Sequence, residues 1–545
     1  MVSLRSTLLW GTAFCAAQSF VLAQNTTLKV VDLGNVTYQS DVNLDIGVTS
    51  FLGIRYAAPP IGDLRFRAPQ PANETGVFNV TTQPDECWQG NPGSNATTPY
   101  RLSKRDVASQ NEDCLFLNVH VPTGLDLTSG AKLPVIVWIH GGGYVVQSVS
   151  MFNPVETFVR NSNYSVISVQ MQYRLGPFGF ISSEAVSVDG DLNIGLLDQQ
   201  LALQWVQENI AAFGGDPSQV TIYGESAGAG SVLQHLVAHG GDTQPPLFRA
   251  AMMDSPFLPF QYAYNDPINE AIFANLSAQV NCPVSNSSLN CLRSVDAATL
   301  AQFANDVELA DFFGVYTYVP VVDGSYIVER PTLTLGKNKT NADTLLVFTN
   351  AHEGDIFVDL VGLAETNTTL TSYIANLFPR MNDTSITRAA NIYSTLQGMN
   401  ASTVPTQAAY VMGEAIFVCP AYYTLGAFED QAWKAEFAVP PALHGDELFY
   451  VFADNASSIG WPPFNNSDFI TAIQQSLFST AISLDPNAHV EPTIAPEWPS
   501  WTDAGQVLLF NETESGQPEV KVVGPDAALL ERCAFWRSLS DVNAQ

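Results

Sequence analysis

Short runs of consecutive apolar residues recur along the chain and stop abruptly at glycine, histidine or polar residues. Val135-Ile136-Val137-Trp138-Ile139, Ser165-Val166-Ile167-Ser168-Val169 and Val220-Thr221-Ile222-Tyr223 have this form, which suits strands covered on both faces. Between the last two, Leu196 to Ile210 carries Leu197, Leu201, Leu203 and Trp205 in a helical pattern that breaks at Phe213-Gly214-Gly215-Asp216-Pro217. Strand, helix, strand in this order predicts an α/β fold, a parallel sheet with helices on both faces. The chain has no internal repeat, heptad run or low-complexity block.

The N-terminus has a different pattern. Met1 to Arg5 carries one positive charge, an apolar stretch follows through Leu8-Leu9-Trp10 and Phe14, and Val21-Leu22-Ala23 places small residues at a cleavage site. Residues 1–23 therefore read as a signal peptide cut after Ala23. No composition shift divides residues 24–545, which are expected to form one elaborated domain. No later apolar run reaches the length of about 18 residues that a membrane span needs, and Asp541 to Gln545 matches neither a retention nor a lipid-anchor signal. The expectation is a secreted, extracellular protein without a membrane span.

Composition adds to this. Roughly fifteen Asn-x-Ser/Thr triplets run from Asn25 and Asn35 to Asn455, Asn465 and Asn511, a density that suits a heavily glycosylated chain. Cys15 leaves with the signal peptide, and Cys87, Cys114, Cys282, Cys291, Cys419 and Cys533 remain. An even set in an oxidising compartment predicts three disulfides, with the pairing left open. The net charge of −31 argues against nucleic-acid partners and against attraction to anionic membranes. It leaves the fold undetermined.

The strongest chemical signal is Gly224-Glu225-Ser226-Ala227-Gly228, after the strand Val220–Tyr223 and before a helical stretch from Ala229 to Leu236. A bare G-x-S-x-G recurs by chance, but a strand before it and a helix after it are the setting of a nucleophile elbow. The glycines let the strained turn close, and Ser226 is then pushed out at the carboxyl edge of the sheet. His140-Gly141-Gly142-Gly143-Tyr144 follows the strand Val135–Ile139. Its unobstructed N–H groups at Gly142 and Gly143, with that of Ala227, are candidate donors to an oxyanion. A base should follow an acid, and both should follow Ser226. His352, His444 and His489 satisfy that order. Order prefers His444 and leaves the acid open. His235 and His239, on the helix after Ser226, read as surface residues.

The chain resembles the type-B carboxylesterase, cholinesterase and fungal lipase family over nearly all of residues 24–545. The resemblance rests on Phe51-Leu52-Gly53-Ile54-Arg55-Tyr56 with Pro59-Pro60, Glu112-Asp113-Cys114-Leu115-Phe116-Leu117-Asn118-Val119, Tyr173-Arg174-Leu175-Gly176-Pro177-Phe178-Gly179-Phe180, Gly195-Leu196-Leu197-Asp198-Gln199 and the two motifs above. It implies an α/β-hydrolase fold, with a large, mostly parallel central sheet and extensive insertions. It also implies hydrolysis of a small-molecule ester through an acyl-enzyme, with no metal and no cofactor. The family acid falls on Glu353 in His352-Glu353-Gly354-Asp355-Ile356-Phe357, where His352 replaces a common aspartate. The family histidine falls on His444 in His444-Gly445-Asp446-Glu447, followed by Tyr450-Val451-Phe452. Disulfides Cys87–Cys114, Cys282–Cys291 and Cys419–Cys533 and structural ion pairs Arg65–Glu112 and Arg174–Asp198 are implied in the same way.

Two other functions on this fold are disfavoured. An inactive adhesion protein would not need Ser226, Glu353 and His444 together, and a serine peptidase would need a carboxylate-binding motif that the sequence lacks. Within ester hydrolysis, cholinesterases hold a quaternary ammonium on a tryptophan of the first disulfide loop. The corresponding stretch here, Tyr100 to Arg105, has none, and Trp88 reads as packing. The loop between Cys87 and Cys114 carries Asn91, Asn95, Arg101, Lys104, Arg105 and Gln110, too polar for an oil-seeking lid. The expectation is a carboxylesterase, with triacylglycerol lipase or sterol esterase as the alternative; oligomeric state is left open.

Overall fold

The computed structural model describes residues 28–94, 109–149, 154–285, 287–396, 402–454 and 462–545. The expected signal peptide, residues 1–23, and the charged part of the first disulfide loop, residues 95–108, lie outside them. Among the described residues thirteen strands are formed: β1 (Leu28–Asp32), β2 (Val36–Asp41), β3 (Val48–Arg55), β4 (Gly76–Asn79), β5 (Phe116–Pro122), β6 (Leu133–Ile139), β7 (Ile167–Met171), β8 (Gly215–Glu225), β9 (Ala250–Asp254), β10 (Thr344–Asn350), β11 (Ala432–Phe437), β12 (Val507–Glu512) and β13 (Pro518–Val523). β1, β2 and β4 make a small separate sheet, and the other ten form one sheet in the order β13-β12-β11-β10-β9-β8-β6-β7-β5-β3.

The run from β12 to β7 is parallel throughout, and antiparallel strands close both edges. Parallel strands are buried on both faces because the crossover helices cover them. The strand residues duly alternate between two cores. Val135, Val137 and Ile139 of β6 enter one, with Val220 and Ile222 of β8 and Leu345 and Val347 of β10. Ile136 and Trp138, Tyr223, and Leu346 and Phe348 enter the other, which the helix Ser467–Ser483 covers. The fold is the expected α/β-hydrolase, with a large, mostly parallel sheet.

The helix expected from Leu196 forms as Ile194–Asn209, and a 3-10 turn leads to Gly214, whose φ of +86° closes it. One expectation is overturned. His235 is 2% exposed; its Nδ1 faces the Tyr326 hydroxyl at 2.6 Å and its Nε2 faces Gln199 Oε1 at 3.0 Å. The helix after Ser226 is wrapped by the segment carrying Tyr326, so no face of it at this position reaches water. His239 is exposed but lies past the helical run, with φ +55°.

Cys87–Cys114, Cys282–Cys291 and Cys419–Cys533 are bonded. Arg65–Glu112 and Arg174–Asp198 are paired with shortest contacts of 2.6 Å in nearly dry surroundings. Trp88 packs partly buried against the core.

Candidate active site

Five neighbouring strands, β6 and β8 to β11, lead to the same edge of the sheet. His140–Gly143 follow β6, Ser226 follows β8, Ser255 follows β9, Glu353 follows β10 and His444 follows β11. Ligand sites of parallel sheets form at this carboxyl edge.

Ser226 sits at the strand-to-helix turn with φ +57° and ψ −125°, a strained backbone for any side chain. Three backbone bonds hold it there. Its N–H donates to Asp254 O at 2.9 Å, and its carbonyl accepts from Gly230 N at 2.8 Å and Phe257 N at 3.2 Å. A Cβ on Gly228 would lie 2.1 Å from Ile139 O, and one on Gly224 would lie 2.4 Å from the Gly228 carbonyl carbon. The G-x-S-x-G spacing is thus a packing requirement.

Glu353 and His444 meet because the chain past β10 pairs with the chain past β11. His352 bridges Leu443, and His352 N donates to Ala442 O at 3.0 Å. His444 Nδ1 then lies 2.6 Å from Glu353 Oε2. Glu353 Oε1 accepts from Ser255 Oγ and from Asn350 N, each at 2.6 Å. The other ring nitrogen, Nε2, is buried 3.1 Å from Glu225 Oε1 without hydrogen-bond alignment. His352 is exposed, and His489 lies in the segment after the helix Ser467–Ser483, away from the cavity wall.

Ser226, His444, Gly142 and Glu225 line one cavity of about 450 Å³, with Asn91–Ser94, Leu309, Phe313, Tyr316, Ile356, Phe357 and Phe449 as further walls. Gly142 and Gly143 have φ +87° and +63°. A Cβ on Gly143 would lie 1.9 Å from the Tyr316 ring, so only glycine lets that ring close over the turn. The N–H groups of Gly142, Gly143 and Ala227 have no acceptor among the described residues. Free N–H groups beside a serine at a helix N-terminus suit a developing oxyanion.

Beneath the cavity lies a buried polar cluster that sequence reading missed. Asn350 Nδ2 donates to Ser255 Oγ and to Glu447, and the Tyr223 hydroxyl donates to Asp254. Burial, and then the Glu353 and Asp254 charges, push the Glu225 carboxyl well above the usual carboxylate range; Glu447 is raised in the same way. Asp254 is pushed up to about 7, chiefly by burial. Lys434, pulled down to about 8 by its own burial, offsets part of this charge. The available signal was positional: Ser255 and Asn350 stand at the ends of β9 and β10, and Glu225 and Glu447 lie inside the two motifs.

Glu308, behind the cavity wall, is pushed up to about 8 by burial. One of its oxygens accepts Asn91 N at 2.9 Å and the other has no partner. A carboxyl raised in the folded state keeps a proton that the unfolded chain has lost, so stability falls as pH rises towards 8. On the acid side, burial holds His120 and His140 at about 4 and His235 at about 3. The unfolded chain then binds protons that the folded one refuses, and stability falls below about pH 6. The unfolding midpoint is expected to peak near pH 6 and decline towards about pH 8.5, and Glu308→Gln should flatten that decline. A midpoint still rising between about pH 6.5 and 8.5 in thermal melts would contradict this.

Comparison with known proteins agrees with this architecture. The model of the Carboxylesterase family matches residues 31–536. Secreted lipase 1 of Botryotinia fuckeliana is 32% identical over 506 residues, covering 85% of this chain and 85% of that protein. Lipase 4 of Diutina rugosa is 31% identical over 521 residues, covering 89% and 93%. The crystal structure of Aspergillus niger EstA superposes with a TM-score of 0.79 at 30% identity, covering 95% of this chain and 99% of that one.

Proposed function

The chain belongs to the carboxylesterase family, a family of ester hydrolases, and from that premise we propose that it is a secreted serine carboxylesterase with Ser226 as nucleophile, His444 as base and Glu353 as the acid that orients it. The observation that carries this reading is the 2.6 Å contact between His444 Nδ1 and Glu353, with His444 and Ser226 on the wall of the same cavity. Glu353 fixes the tautomer that leaves Nε2 free to accept a proton. As Ser226 Oγ attacks the ester carbonyl, His444 takes its proton, and the oxyanion is held by N–H groups of Gly142, Gly143 and Ala227. His444 then gives the proton to the leaving alcohol, and water attacks the acyl-enzyme by the same route. Residues 1–23 act as the signal peptide and residues 24–545 as the catalytic unit.

Carboxylesterase is preferred to lipase because the insertion after Glu353 offers little free apolar surface. In the helices Leu360–Glu365 and Leu370–Leu377, the apolar residues Leu363, Leu370, Tyr373, Ile374 and Leu377 are all buried. Leu360 and Val361 remain exposed. The opposing reading, lipase, draws on exposed Ile356 and Phe449 at the cavity wall and on relatives named lipases. No tryptophan lines the cavity among the described residues, which argues against choline esters. A lid that opens at an oil surface exposes apolar area at roughly 25 cal/mol per Å², a cost that only the interface offsets. Hydrolysis of tributyrin is therefore expected to rise smoothly through its solubility limit, with short p-nitrophenyl esters turned over faster than long ones. A rate jump at that limit would favour lipase or sterol esterase.

A further inference from the structure

The helical run from Val404 to Leu425 is interrupted by a π-turn, Glu414–Val418, between the α-segments Val404–Gly413 and Cys419–Leu425. Such an insertion rotates the side chains after it relative to those before it, and π-turns recur at functional sites. Here the two parts of the run meet two different members of the proposed triad. The first part packs against the backbone of the acid: a Cβ on Gly354 would lie 1.9 Å from Ala409 O, and one on Gly413 would lie 3.3 Å from Glu353 Cβ. The π-turn then places Phe417, 1% exposed, against the base. The Phe417 and His444 ring centroids are 4.5 Å apart with the planes tilted by 48°. Phe357 meets the same imidazole edge-on at 4.9 Å and stacks on Phe417 at 5.0 Å. Phe357 lines the substrate cavity, whereas Phe417 does not.

The π-turn is pinned at both ends to the helix Ala527–Ser538. At its first residue, Glu414 accepts two bonds from Arg532, from Nε and Nη2 at 2.7 Å each, and a third from the Tyr393 hydroxyl at 2.7 Å. One residue past its end, Cys419 is bonded to Cys533. Within the turn, Ile416 O accepts from Leu258 N at 2.9 Å, one residue beyond Phe257, whose N–H holds the Ser226 carbonyl. Glu353, His444 and the Ser226 turn therefore all rest on the one helical run, Val404 to Leu425, that the π-turn interrupts.

We infer that Phe417 is a positioning residue for catalysis: it fixes the His444 ring plane and, once His444 has taken the proton, presents an aromatic face to the imidazolium. This rests on the reading of His444 as base. A cation is attracted to an aromatic face within about 6 Å, and the imidazolium exists only after proton transfer has begun. An interaction made only at that stage raises kcat and leaves substrate binding unchanged. The pinning by Glu414–Arg532 and Cys419–Cys533 makes the C-terminal helix part of the same support.

The test uses the full-length secreted protein and Phe417→Leu, which keeps apolar volume and removes the ring. With p-nitrophenyl butyrate, kcat is expected to fall about tenfold, a part of the roughly 10²–10⁴-fold that a positioned base supplies. KM should stay within about twofold, and the rate of phosphonate labelling should fall with kcat. Wild-type kcat, or a KM effect with kcat unchanged, would overturn the inference and leave Phe417 as packing. Should Phe417→Leu not fold, Glu414→Gln decides. It keeps the shape of the Arg532 contact and removes its charge, and a smaller kcat loss with unchanged KM is expected; unchanged kcat overturns the inference. The two readings fail separately. A phosphonate on a residue other than Ser226 in the wild type would remove the proposed triad. Ser226 labelling in Phe417→Leu at the wild-type rate would remove only the role of Phe417.

Discussion

Ser226→Ala is expected to be secreted and folded, with ester hydrolysis reduced to near background. Ser226 is 8% exposed, and the bonds that hold it in the turn are backbone bonds to Asp254, Gly230 and Phe257, which alanine keeps. The positive φ is no worse for alanine than for serine, so the unfolding free energy should change by less than about 1 kcal/mol. Loss of the nucleophile from a serine hydrolase costs on the order of 10⁶ in kcat, and what remains comes from the oxyanion donors and from binding. An alanine variant that keeps more than about a tenth of the wild-type rate would place the nucleophile elsewhere.

Glu353→Gln should cost about 10⁴ in kcat with KM nearly unchanged. The carboxylate accepts from His444 Nδ1, Ser255 Oγ and Asn350 N. A carboxamide has one oxygen and two N–H donors, so it cannot accept on both sides. With its oxygen towards Ser255 and Asn350, its NH₂ faces His444 Nδ1. The imidazole then carries its hydrogen on Nε2, where the mechanism needs a free lone pair. Steady-state kinetics on one soluble ester checks this, and a loss smaller than about tenfold would give the orienting role to another carboxylate.

Much of the frame was legible in the sequence because it depends on local patterns. The runs Val135–Ile139 and Val220–Tyr223 are continuous and apolar because both faces of a parallel strand are covered, and they sit in the middle of the sheet. The flanking glycines of Ser226 were legible for a steric reason, and the 2.1 Å from a Gly228 Cβ to Ile139 O is that reason in numbers. The Glu353–His444 pairing was not legible from the residues alone. Ninety-one positions separate them, and only the bridge between the chain past β10 and the chain past β11 brings them together; family resemblance supplied what spacing could not. His235 was misread because nothing in the sequence tells that the segment carrying Tyr326 covers the helix there. Position marked Ser255, Asn350 and Glu447 singly, but their clustering, like the Phe417 contact, was not legible for the same reason: each depends on packing between elements far apart in sequence.

The most direct test of the central claim is covalent. The native protein should react with an organophosphonate ester to a limit of one adduct per chain. Peptide mass spectrometry should place that adduct on Ser226, and unfolded protein should not react. Full inactivation with the adduct on another residue, or activity that survives complete labelling of Ser226, would contradict the account.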